Sequence, residues 1–373
     1  MLQKIFATGI ALSLSTALFS QTPETTSPAP AEAAETSSPE PQEKKPTFTF
    51  SGFADIYYRY DFSKNASNNR SSFTNSHNSF ELGMASLKLE SSFGKVGMVA
   101  DLGFGKRAQE FSYNESGIVA SIKQLYITYA ATDWLKFTGG SWATHVGYEL
   151  VDAPLNRNYS MSYMFSYGPF FHTGVKADLT FGKHGFMIGI ANPTDYKSAP
   201  TDSKKSVIAQ YSYAFNDNWK VYLNYVGGTR PADTAKTDQF DAVISGKFSD
   251  KFSVGFNGSI FRASIPEVAR SLKDDAQDWW ASAVYLNFDP TTTFGLTLRS
   301  EYFNDQNQLA PTSYATQGAS IWANTISANF RVGNLTIIPE MRFESASKDI
   351  YTGKDGAEKA GNASALLAAV YRF

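Results

Sequence analysis

Four histidines, His77, His145, His172 and His184, are this chain's most obvious candidates for proton transfer or metal binding near neutral pH. His145 and His172 flank a polar segment that also holds Glu149, Ser160 and Ser162. A serine beside an oriented histidine could attack an ester, and two histidines with a carboxylate could hold a metal. Neither pattern is complete, because no nucleophile motif surrounds either serine. The segment reads better as polar residues orienting a loop, with no catalytic group, metal or cofactor expected.

A second set of reactive side chains is spaced at intervals of two. Asp55, Arg59 and Asp61 share one parity while Phe50, Ile56, Tyr58 and Tyr60 share the other. The same holds for His172, Lys176 and Asp178 against Val175, Ala177, Leu179 and Phe181. Arg299 and Glu301 alternate with Leu296 and Leu298, and Glu340, Arg342 and Glu344 with Ile337, Met341 and Phe343. Period two belongs to strands with one wet face and one apolar face. Acids and bases in neighbouring rows can pair across strands or line a hydrated space without a strong single-sign field.

Such rows need elements to carry them, and the pattern repeats along the chain. Sixteen candidate strands lie near 48–62, 79–92, 96–106, 121–131, 134–144, 170–182, 185–193, 205–215, 218–228, 238–248, 252–263, 277–288, 293–304, 320–332, 335–346 and 361–373. Each even strand joins the next odd one through a short turn such as Phe93-Gly94-Lys95, Asn216-Asp217 or Gly333-Asn334. The odd-to-even connections are longer and polar. Aromatics flank the short turns: Tyr129 with Trp134, Phe181 with Phe186, Phe215 with Trp219, Phe248 with Phe252 and Phe288 with Phe294. Even strand number, alternating connection length and an aromatic belt together describe an all-β fold, a transmembrane antiparallel β-barrel with long outer loops and short periplasmic turns. A charge on its lipid face near midplane would cost about 2–4 kcal/mol, which enforces the alternation. In the second strand Leu82 and Met84 share parity with Lys88 and Glu90, so a β-bulge is expected there.

Composition agrees. Aromatics make up 15% and charged residues 18% of the chain, and the net charge of −2 offers no basic footprint for nucleic acid. With no cysteine, disulfides, a lipidated cysteine and thiolate metal sites are all excluded. Residues 1–20 carry Lys4 and then an apolar run, the form of a signal peptide cleaved near Ser20. Residues 21–46 include Pro23, Pro28, Pro30, Pro39, Pro41 and Pro46 and no aromatic, so they are expected to form a disordered periplasmic tether ahead of a barrel at 47–373.

Around the third long loop the sequence runs Gly139-Gly140-Ser141-Trp142 through Asn156-Arg157-Asn158-Tyr159-Ser160-Met161-Ser162 to Pro169-Phe170-Phe171-His172-Thr173-Gly174. With Gln124-Leu125-Tyr126-Ile127-Thr128-Tyr129, these residues resemble the OmpL-like putative β-barrel porins. The local match covers about fifty residues, and the strand plan extends it over the barrel. Met161 departs from an expected arginine, and Asn192-Pro193 from a usual Asn-Gly pair.

The resemblance and the barrel pattern imply an outer-membrane porin passing small hydrophilic solutes by diffusion. Val146–Gly168 is the longest internal connection and is dense in aromatics, so it is expected to fold into the barrel and bury them. Glu149, Asp152, Arg157 and Tyr159 would then form a constriction facing lumenal charges such as Arg59, Lys176, Arg299 and Arg342. Tyr371 and Phe373 resemble the C-terminal signal read by the barrel-assembly machinery. Outer-membrane lipids are the expected surroundings, and a homotrimer is a family-level expectation. A lipid-directed barrel enzyme and an adhesive surface barrel are the alternatives.

Overall fold

The computed structural model describes residues 45–264, 277–313 and 315–373. The leader and nearly all of the tether lie outside these residues, as does the whole connection after Ser264. Fifteen strands come first: β1 Thr47–Asp61, β2 Ser79–Phe93, β3 Val96–Phe104, β4 Ile122–Ala130, β5 Leu135–Ala143, β6 Phe171–Phe181, β7 His184–Ala191, β8 Ser206–Ala214, β9 Trp219–Thr229, β10 Lys236–Lys247, β11 Phe252–Ser264, β12 Gln277–Phe288, β13 Phe294–Asp305, β14 Ala319–Val332 and β15 Leu335–Ala346. The last loop holds a small hairpin, β16 Tyr351–Thr352 with β17 Glu358–Lys359, and β18 Gly361–Arg372 ends the fold.

Strands β1 to β15 and β18 form one closed antiparallel barrel of sixteen, each paired with its sequence neighbour, and β18 closes on β1. Each lies within two residues of its expected span. Closure leaves no edge, so every strand's backbone can be satisfied inside a hydrocarbon layer. No helix among the described residues is long and apolar enough to cross a membrane.

Phe50, Ile56, Val175, Leu296, Ile337 and Phe343 are exposed outward, whereas Asp55, Arg59, Asp61, His172, Arg299, Glu301, Glu340 and Arg342 are buried inward. The bulge in β2 is present. Ala54 pairs with Ala85 but Ile56 with Leu82, so one extra β2 residue is accommodated, and both Gly83 and Met84 turn inward. That resolves the parity conflict: Leu82 faces out, and Met84 faces in with Lys88 and Glu90.

The aromatics at the short turns interlock mainly across hairpins. Trp134 stacks on Phe181 at 5.5 Å between ring centroids, Trp219 meets Phe248 at 5.0 Å, and Phe294 meets Phe330 at 5.1 Å. A matching outer row, Trp280, Tyr302 and Trp322, sits toward the long loops, with 5.3 and 5.8 Å between successive rings. Two girdles bracket an apolar band, as a barrel in a bilayer requires.

Candidate functional site: a loop packed inside the barrel

The β5–β6 connection does not stay outside. From Thr144 it turns into the lumen, where the His145 and His172 rings meet at a tilt of 41° with centroids 5.1 Å apart. His172 Nε2 bonds Thr144 Oγ1 at 3.1 Å and His145 Nε2 bonds the Tyr225 carbonyl at 3.2 Å. The Gly147 N–H donates to Asp241 at 3.1 Å and the Tyr148 N–H to Asn257 at 3.3 Å. Tyr148 then stacks on Tyr285 of β12 at 4.2 Å. The loop has crossed the barrel.

On the far wall the charged rows bind its backbone. Arg299 pairs with Glu149 at 2.6 Å and donates to the Ser160 carbonyl at 2.7 Å and the Met161 carbonyl at 3.2 Å. Arg342 donates to the same Met161 carbonyl at 2.8 Å while pairing with Glu344 at 2.9 Å. Glu301 accepts from the Tyr163 and Met164 N–H groups at 3.0 Å each, and Glu340 from those of Tyr159 and Ser160 at 2.8 and 3.2 Å. Buried peptide groups need such partners, and here wall side chains supply them. Ser162 caps the short helix Tyr163–Tyr167, accepting from the Phe165 N–H. Tyr159, Tyr163 and Phe165 are buried, Tyr148 and Tyr167 are half-buried, and the Tyr163 hydroxyl bonds Glu344.

The Tyr159 hydroxyl donates to Asp55 of β1. Gly83 in the β2 bulge makes room for this bond: a Cβ there would lie 1.6 Å from Asp55 Oδ1 and 2.6 Å from the tyrosine oxygen. Two cations that sequence reasoning missed complete the packing. Arg107, from the helix Lys106–Phe111 of the β3–β4 loop, is fully buried with its guanidinium 4.7 Å from the Tyr159 ring centroid. It donates to the Val151 and Tyr159 carbonyls at 3.4 Å each. Lys123 of β4 bridges Asp152 at 2.6 Å and Asp101 at 3.2 Å. Arg107 lies in a loop, where alternation gives no signal. Lys123 borders an irregularity in the β3–β4 register, where parity fails.

Several expected contacts differ. Arg157 reaches past the middle of the barrel to Asp289, in the short turn after β12, at 2.7 Å, and Arg331 joins the same carboxylate at 3.0 Å. Together these cations hold the Asp289 carboxyl below its usual range. Asn158 also bonds Ser327 at 2.6 Å, so the loop tip lies toward the periplasmic turns. Arg59 pairs with Asp61 at 3.2 Å and Lys176 with Asp178 at 3.1 Å, so neither takes a loop carboxylate. Of the four expected cationic partners only Arg299 pairs with a loop acid, and Arg342 grips the loop through a carbonyl. Met161 stands where an arginine was expected, yet two arginines from the wall converge on its backbone.

Ser160 Oγ accepts from Arg299 on the far wall and Ser162 Oγ accepts from the Phe165 N–H in the helix cap. Among the described residues no group of three His, Asp or Glu side chains could hold a metal. His77 accepts from the Asp61 N–H, and His184 bonds Tyr211 at the periplasmic rim.

Above the loop lies an outward-facing cleft of about 1090 Å³, lined by residues including Arg70, Glu110, Tyr113, Tyr167 and Arg230. Asp195 at its wall accepts the Phe170 and Phe171 N–H groups at 2.7 and 3.0 Å. Burial pushes its carboxyl up to about 6 despite those bonds. Burial lowers the nearby Lys197 to about 8, against the pull of Glu115 and Asp195.

A closed sixteen-stranded barrel with two aromatic girdles and an inserted third loop defines the class: a porin-type barrel of an outer membrane. The chain belongs to the family described as "Putative beta-barrel porin-2, OmpL-like", whose model matches residues 47–373. By sequence it matches none of the curated proteins. In fold it is similar to OmpT of Vibrio cholerae, with a TM-score of 0.56 and 12% identity over 88% of this chain and 98% of that one. It is also similar to an anion-selective porin from Comamonas acidovorans, with a TM-score of 0.58 and 9% identity over 88% of this chain and 100% of that one. OprD of Pseudomonas aeruginosa aligns with a TM-score of 0.50 and 12% identity over 87% of this chain and 95% of that one.

Proposed function

We propose that this protein is a passive outer-membrane channel for small hydrophilic solutes, with no catalytic turnover. The observation carrying the reading is the Val146–Gly168 segment, bound inside a closed barrel by wall residues, where it occupies part of the lumen. Glu149, Asp152, Arg157 and Tyr159 act in this reading as constriction residues. Asp55, Arg59, Asp61, His172, Lys176, Asp178, Arg299, Glu301, Glu340 and Arg342 form the wall that seats the loop or lines the remaining space. Porins of this strand number enclose aqueous channels, and the family match supports the same role.

The leader would be removed on export, and residues 21–46 would hang in the periplasm. Tyr371 and Phe373 would present the terminal strand to the barrel-assembly machinery; both are about half exposed, facing the lipid side. A homotrimer in outer-membrane lipid is the proposed assembly. Planar-bilayer recording on purified, folded protein tests the function. Discrete conductance steps are expected, and protein that shifts normally on heating in gels yet gives no channels over repeated trials would refute it.

A further inference from the structure

The lumen is divided unequally. Inward residues of β12 to β15 and β18 are buried under the inserted loop almost to the periplasmic turns, as Asn287, Asn329 and Val370 show. Across the barrel, the periplasmic half of β5 to β9 keeps solvent-reaching inward side chains. Lys136 is 38% exposed, Asp178 27% and Lys176 19%, and Lys220 of β9 is half-buried.

These four charged residues have a definite sign. Lys136 and Asp178 are direct cross-strand partners 4.0 Å apart, and Lys176 sits two residues along β6 with its ammonium 3.1 Å from the same carboxylate. One acid thus serves two lysines, and Lys220, which feels the nearby Asp217 carboxylate, stands roughly 14 Å along the wall at the usual strand spacing. Elsewhere in this half, the Lys88–Glu90 pair is neutral, whereas Asp289 is shared by Arg157 and Arg331. The rim turns do not reverse the excess, since Lys95, Lys183, Lys247 and Lys251 stand there against Asp133, Asp217 and Asp250. At the outer cleft Arg70 and Arg230 stand against Glu110 and Asp195, with Asp233 paired to Arg230 at 2.5 Å.

From this placement we infer that the channel prefers small anions, with Lys136, Lys176 and Lys220 as its selectivity determinants and Asp178 as the counterweight. The inference rests on the channel reading above. Low-dielectric walls focus a fixed field in a narrow space, and the field acts over about 10 Å at 0.1 M salt and about 30 Å at 0.01 M. The preference should therefore strengthen as salt is lowered.

Reversal potentials across a KCl gradient in planar bilayers are the test. The expected wild-type permeability ratio favours chloride. The triple variant K136Q/K176Q/K220Q should lower that ratio at least about twofold, and D178N should raise it, with the barrel checked by its heat-dependent gel shift. D178N removes a single charge isosterically, which keeps the test available if the triple variant fails to assemble. A cation-preferring wild type, or a ratio that D178N leaves unchanged, would overturn the inference and leave the channel reading intact. Folded protein without any conductance would remove both.

Discussion

Replacing Arg299 with methionine should release the inserted loop. The guanidinium is fully buried and makes five contacts, to Glu149, the Ser160 and Met161 carbonyls, the Ser160 hydroxyl and Thr325. Methionine fills similar volume but leaves a buried carboxylate and two buried carbonyls with fewer donors. Breaking one side of a buried ion pair costs about 3–5 kcal/mol, because the surviving charge is stranded. At about 1.4 kcal/mol per decade, this makes local opening roughly a hundred- to several-thousand-fold more frequent. Hydrogen exchange at the Tyr159, Ser160, Tyr163 and Met164 amides, all held by Glu340 and Glu301, reads that opening directly. The Glu149→Gln exchange in the same background removes the stranded charge and should recover part of the loss, by about 1–3 kcal/mol. Unchanged exchange at those amides in Arg299→Met would refute the reasoning, since it would mean that the remaining anchors hold the loop without the arginine.

Gly83→Ala should push Asp55 away from Tyr159 and destabilise the loop seat by about 1–3 kcal/mol, as overpacking does; thermal unfolding in detergent checks it, and Tyr159→Phe should mask part of the effect. Asp195 has a folded value near 6, above its unfolded one, so its contribution to stability is fully present below about pH 4 and is lost as pH rises through 6. Asp195→Asn should flatten that dependence and stabilise the β7–β8 loop at pH 7 by up to about 3 kcal/mol, read as slower exchange of the Phe170 and Phe171 amides. Shortening the loop between Ala153 and Asn158 should remove the contacts to Asp289 and Ser327 and raise single-channel conductance; an unchanged current would exclude the loop from the constriction.

The barrel was legible in the linear chain because a bilayer imposes a local rule. Lipid on one side and polar lumen on the other force alternation on every strand, so Phe50 with Asp55 and Leu298 with Arg299 declare their faces without knowledge of any partner. Turn residues such as Gly333, whose φ is +58°, mark where strands reverse. Even the β2 bulge showed itself as a parity conflict. The Val146–Gly168 segment was also suspect on its own, because five large aromatics on a solvent-exposed loop carry a free-energy cost that burial relieves.

What the loop touches was decided only by the tertiary structure. Arg299, Glu301, Glu340 and Arg342 read as a lumenal ladder of charges, but in the folded chain much of their hydrogen bonding goes to a peptide backbone entering from more than a hundred residues away. No periodicity encodes that, since a carboxylate facing water and one facing buried N–H groups occupy the same strand position. Arg107, Lys123 and the reach of Arg157 to Asp289 were hidden for the same reason. Alternation assigns a side chain to a face, whereas its partner depends on how a loop without period folds in the space that closure of the barrel creates.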